Sequence, residues 1–119
     1  MTKIVFFRSG GVYYGFEEQG HTGYGDAGED VLCAALSAMT MLVINTVEVA
    51  YASDVEYTID EGATHIKVRA KAALPEFEED ERKRYALSGL FLSYFYQLNE
   101  LVEEYYDFLE VDVKDIDYV

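Results

Sequence analysis

The chain has 119 residues, half of them hydrophobic, with 23 acidic and 9 basic side chains and a net charge of −14. That length suits one domain around a single core, and the charge excludes a protein built to grip a phosphate backbone while favouring a basic partner. The single cysteine excludes an internal disulfide and fits a reducing compartment, so a cytoplasmic setting is expected.

Met1-Thr2-Lys3 leads straight into a strand-like run, so no secretory leader is expected. Lys3 to Arg8, rich in Ile, Val and Phe, reads as a strand, Ser9-Gly10-Gly11 as a turn, and Val12 to Glu18 as a second strand with Val12, Tyr14 and Phe16 on one face. The two form a predicted hairpin. Next comes a loop with four glycines in nine residues, Gly20, Gly23, Gly25 and Gly28, flanking His21, Thr22 and Tyr24; it suits a mobile segment that closes over a ligand. A helix is predicted from about Asp30 to Val49, with Asp30 as N-cap and Cys33 at about the third helical position. The run from Val31 to Val47 is apolar enough to raise the question of a membrane span. Ser37, Thr40, Asn45 and Thr46 interrupt it and no basic cluster flanks it, so a helix buried in a soluble core is expected, with no membrane partner.

Asp54 to Asp60 alternates Val55, Tyr57 and Ile59 against polar residues, which predicts a half-buried strand; Glu61-Gly62-Ala63 turns the chain. Thr64 to Lys71 alternates again, setting Ile66, Val68 and Ala70 against His65, Lys67, Arg69 and Lys71, a basic face able to pair with the acidic face of the preceding strand. After Pro75, acids from Glu76 to Glu81 crowd a helix start, followed by Arg82, Lys83 and Arg84. This helix runs to about Tyr106 around a stripe that includes Leu87, Phe91, Tyr94 and Leu98. Leu92, Phe95 and Tyr96 widen the apolar surface, which reads as a homodimer face. The tail alternates and reads as an edge strand. The expectation is an α+β fold, a single domain over 1–119 in ββαββα(β) order, with a four- to five-stranded antiparallel or mixed sheet carrying two long helices.

Chemistry concentrates between residues 20 and 38. A cysteine near a helix start, with a histidine able to fold back from a glycine-rich loop, meets the needs of a thiol nucleophile: a base, and donors for negative charge. Each residue alone has a plainer role: Cys33 as a small buried hydrophobe, His21 as a loop hydrogen-bonder, Asp30 as a cap. Metal binding by His21, Asp30, Cys33 and His65 fits no finger or ribbon spacing, and neither a metal nor a cofactor is expected.

Gly20-His21, Gly28, Asp30-Val31-Leu32-Cys33-Ala34-Ala35 and Ser37-Ala38 closely resemble the signature of the ribosomal-processing cysteine protease family (Prp), GHxxxxxxGxDxxCAAxSA, with its histidine twelve residues before its cysteine. The likeness extends loosely over the whole chain and departs at Thr22, more often alanine, and Leu32, often valine. It implies a small dimerising α/β sandwich with Cys33 as nucleophile and His21 as base, and Asp30 as a possible orienter of the histidine. It also implies a substrate: the N-terminal extension of large-subunit ribosomal protein twenty-seven, cut after a hydrophobic, Phe-containing motif. Two rival readings are a non-enzymatic, acidic ribosome-assembly factor holding a basic ribosomal protein, and a thiol redox sensor. The sensor would need a resolving cysteine from a second copy.

Overall fold

A computed structural model describes residues 1–20, 27–60 and 65–119. Strands β1 (Thr2–Ser9) and β2 (Val12–Gln19) form the predicted hairpin, closed by Gly10 and Gly11 at φ +57° and +81°. Two consecutive left-handed residues match the twist of the flanking strands, and glycine adopts them without steric cost. Strands β3 (Glu56–Asp60) and β4 (His65–Arg69) follow, and β5 (Leu109–Asp115) comes last; β3, expected to be half-buried, lies at the sheet edge and is exposed along its whole length, Tyr57 and Ile59 included. The sheet order is β3-β4-β2-β1-β5, with β5 parallel to β1 and every other pair antiparallel, so the sheet is mixed. The predicted turn at 61–63, and Thr64 as the start of β4, lie outside the described residues.

Helix α1 (Ala27–Asn45) is the crossover between β2 and β3, which point the same way with β4 between them. It begins three residues before the predicted start. Asp30 is therefore its fourth residue and not its N-cap, and Cys33 is its seventh residue, not its third. The helix passes into a π-helical turn, Thr46–Ala50, where the Thr46 hydroxyl donates to the Leu42 carbonyl (2.7 Å), a back-bond that loosens the regular ladder. Helix α2 (Glu81–Tyr105) starts at Asp80, whose carboxylate accepts from the amides of Arg82 (3.0 Å) and Lys83 (3.4 Å). Those bonds, Arg82 first, hold the Asp80 carboxyl below its ordinary range.

Both helices pack on one face of the sheet. Phe6 is at the centre, its ring 5.3–6.3 Å from those of Tyr13, Phe16, Tyr94 and Phe95. A bulge between Phe7 and Arg8 changes what β2 shows to the helices. Tyr13 and Phe16 both face α2, while Tyr14 turns to the far face beside Phe7. The expected grouping of Val12, Tyr14 and Phe16 on one face is thus broken at Tyr14. The bulge also accounts for Phe95, which stacks on Tyr13 at 5.1 Å instead of widening an outer face. Open apolar side chains lie on the outer side of α1, where Val31 and Leu42 are each 60% exposed and Met41 is also open, at Val49 of the π-helical turn, and on α2, where Tyr96 of the expected homodimer face is exposed together with Tyr85. Residues 31–50 are long and apolar enough to cross a membrane, while Leu32, Leu36, Val43, Ile44 and Val47 of the same stretch belong to the core.

On the far face the chain's last residues fold over the sheet. Tyr118 lies on the Arg69 guanidinium, 4.2 Å from ring centre to Cζ, and donates to Glu56 (2.9 Å); Tyr14 donates to the Ile116 carbonyl (2.6 Å). Arg69 also grips both Glu56 oxygens at 2.8 Å, the cross-strand charge pairing predicted for β3 and β4. His65 departs from that pattern: its Nε2 lies 3.3 Å from Glu17 on β2, its other neighbour.

Candidate active site

The alternation of β2 runs its inward row to Glu18 and ends at Gln19, after which the chain must leave the sheet. Gly20 makes that exit with φ +84°, and a Cβ built on it would stand 2.5 Å from the Met1 carbonyl oxygen. Both facts require glycine here. The start of β1 therefore sets the point and direction in which the chain departs toward His21. His21, Thr22, Gly23, Tyr24 and Gly25 lie outside the described residues; Gly28 is the second residue of α1.

Cys33 is on the inner side of α1, 9% exposed, in a row with Leu32 and Leu36. In a helix that begins at Ala27, the amide of Cys33 falls inside the i→i−4 ladder. The orphan donors and most of the macrodipole's effect belong to the turn before it. Side chains on a helix lean toward its N-terminus, so the sulfur leans back over that first turn. The site can offer a thiol at the rim of the core and amides one turn upstream, and the base has to come from outside the helix.

A group of buried oxygens lies deeper on the same side of the sheet. Glu18 is 4% exposed, Thr40 of α1 2% and Tyr94 of α2 5%. The Tyr94 hydroxyl is turned toward that of Thr40 and feels the charge of Glu18, yet Glu18 Oε2, Thr40 Oγ1 and Tyr94 Oη complete no hydrogen bond of good geometry. Burial pushes the Glu18 carboxyl up to about 7. Burial likewise raises the Tyr94 hydroxyl well above its ordinary value. Reading the strand for its apolar side chains passed over Glu18. The signal was the alternation itself, since the residue two beyond an inward Phe16 faces inward too.

A mixed sheet with two helices on one face and a cysteine at the rim of the core describe a small α+β domain. The profile of the family described as cysteine protease Prp matches residues 1–110, and the chain belongs to that family; it is a cysteine protease. Among solved structures, SMU.848 from Streptococcus mutans superposes with a TM-score of 0.79 at 24% identity, covering 98% of this chain and 99% of that one. The ribosomal processing protease Prp from S. aureus, in complex with a substrate peptide, superposes at 0.77 with 16% identity, covering 96% and 100%. The same protease with a covalently linked product peptide gives 0.74 at 17% identity, with the same coverage. At these identities the structural likeness speaks for the fold. No curated protein matches the chain.

Proposed function

We propose that this cysteine protease matures a ribosomal protein, removing the N-terminal extension of large-subunit ribosomal protein twenty-seven after a hydrophobic, Phe-containing motif, in the cytoplasm. The observation that carries this reading is the family match over residues 1–110, which spans the whole Gly20–Ala38 signature. Two solved structures of one similar protein, described as a ribosomal processing protease, one with a substrate peptide and one with a covalently linked product peptide, support it.

In this mechanism His21 accepts the proton of the Cys33 thiol, and the sulfur attacks the scissile carbonyl carbon. The negative charge that develops on the carbonyl oxygen is received by amides of the first turn of α1, not by that of Cys33 itself. The C–N bond then breaks, His21 returns its proton to the leaving amine, and a thioester remains on Cys33. Water attacks the thioester with His21 as base, releasing the carboxylate and restoring the thiol. Asp30 is not needed as a cap, which leaves it available to orient His21.

A second copy is proposed to cover open apolar surface: Tyr96 of the expected face on α2, and Val31, Met41 and Leu42 on the outer side of α1. The test is incubation with the organism's own ribosomal-protein precursor, followed by intact-mass analysis. A single cut at the hydrophobic motif that is absent with Cys33→Ala supports the reading; an unchanged precursor mass ends it.

A further inference from the structure

Glu18 is a carboxyl where a leucine would pack better, because its buried Oε2 finds no hydrogen-bond partner among the described residues, and burying such an oxygen costs stability. Among the described residues, the groups that the neighbouring elements turn toward it are uncharged. Ile4 of β1 and Ile66 of β4 flank it in register, Thr40 of α1 and Tyr94 of α2 close over it, and Thr2, two residues before Ile4, adds another buried hydroxyl without a hydrogen bond. Among the described residues no Lys, Arg or His pairs with it; the nearest charges in sequence, Glu17 and the His65 it meets, are on the opposite face.

What distinguishes this place is what it joins. Glu18 is two residues before Gly20, where the chain leaves for His21. Thr40 is seven residues, two turns, beyond Cys33 on the same side of α1. One carboxyl therefore sits where the strand that delivers the base, the helix that carries the nucleophile and α2 meet. A neutral carboxyl can share hydrogens with the two hydroxyls; a carboxylate there meets no countercharge among the described residues and pushes the helices away from the strand.

We propose that Glu18 is a positioning residue for the Cys33 site: uncharged, it lets α1 seat against β2, and a negative charge there unseats α1 and lowers the reactivity of Cys33. The inference rests on the reading of Cys33 as nucleophile, so two readouts are paired: kcat/KM on the precursor, and the rate of Cys33 alkylation by iodoacetamide. Each is measured from about pH 6 to about pH 8 for the wild type, Glu18→Gln and Glu18→Leu. With the carboxyl titrating near 7, the variant-to-wild-type ratio should be close to one at the acid end and rise to roughly tenfold at the alkaline end, in both readouts. Glu18→Leu supplies the same comparison should the glutamine variant fold poorly. A ratio that does not change with pH overturns the proposal, even if thermal stability changes, because that is the mark of a purely structural carboxyl. If no form cuts the precursor, the maturation reading fails by itself, and the alkylation series still decides the role of Glu18.

Discussion

A cysteine seven residues into a helix gains little from the macrodipole, whose effect fades within the first turn, so its reactivity has to come from a neighbour. This sharpens the expectation for His21. Alkylation of Cys33 should persist well below the pKa of about 8.5 of an ordinary thiol, and in His21→Ala the whole profile should return to that value. An unchanged profile would remove His21 as the base. Cys33→Ala should lose cleavage entirely yet fold, since one small apolar side chain replaces another at the rim of the core; Cys33→Ser should lose nearly all of it. Glu18 gives a separate linkage argument. Its folded pKa is raised from 4.5 to about 7, so the folded state holds a proton that the unfolded state releases between those values. Its contribution to stability is therefore full below the unfolded value, declines as pH rises to about 7, and is lost beyond; the loss amounts to about 3 kcal/mol. Urea denaturation of wild type and Glu18→Gln across this range should show the slope in the first and not in the second. Parallel pH dependences would place the proton elsewhere.

The elements differ in how openly the amino acids declare them. The Gly10-Gly11 hairpin, the alternation of β4 and the acid-led start of α2 are local patterns, set by residues close in sequence, and they were legible; the half-buried character expected of β3 was not found, because no helix covers that edge strand. The bulge at Phe7/Arg8 was not, because it depends on pairing between strands, and it sent Tyr14 to the far face and Phe95 into the core. The start of α1 was misplaced because a capping residue within a polar stretch looks the same one turn early or late. The parallel seat of β5 on β1 joins residues about a chain length apart and leaves no local trace. Of the site, the proposed nucleophile Cys33 was singled out by its motif, and the buried oxygens were not, since they meet only across three elements. Two glycines test the close contacts. Gly20→Ala would set a Cβ 2.5 Å from the Met1 oxygen at φ +84°, and Gly15→Ala would set one 2.5 Å from the Val68 oxygen. Each should destabilise by at least about 1–3 kcal/mol in urea denaturation. Only Gly20→Ala should also lower kcat/KM measured where both variants are fully folded, because only that strand exit leads into the site. On the outer side of α1, Leu42→Glu should shift a dimer to monomer in light scattering without changing the fold; a wild type that is already monomeric removes the proposed interface.

At the scale of the whole molecule the charge is unevenly used. Arg8 and Arg69 are committed to Asp115 and Glu56, and the last twenty residues carry acids at 100, 103, 104, 107, 110, 112, 115 and 117 against Lys114 alone. So acidic a body would attract the basic precursor of the proposed function over distances longer than any contact, while the hydrophobic cleavage motif would supply the close fit. The two contributions separate with salt. Surface charges are screened over about 8 Å at physiological ionic strength and about 3 Å at 1 M, so raising salt should slow association with the full precursor. A short uncharged peptide spanning only the cleavage motif feels little of the field, and its kcat/KM should change much less. Reversing acids on β5, as in Glu110→Lys with Asp112→Lys, should reduce the salt sensitivity of the precursor and leave the peptide's turnover nearly unchanged, since both side chains are remote in sequence from Cys33 and exposed or nearly so. Stopped-flow association of the precursor with the inactive Cys33→Ala form reads the effect without chemistry. Equal salt sensitivity for precursor and peptide would confine the acidic surface to a role in solubility and leave substrate choice to the apolar motif.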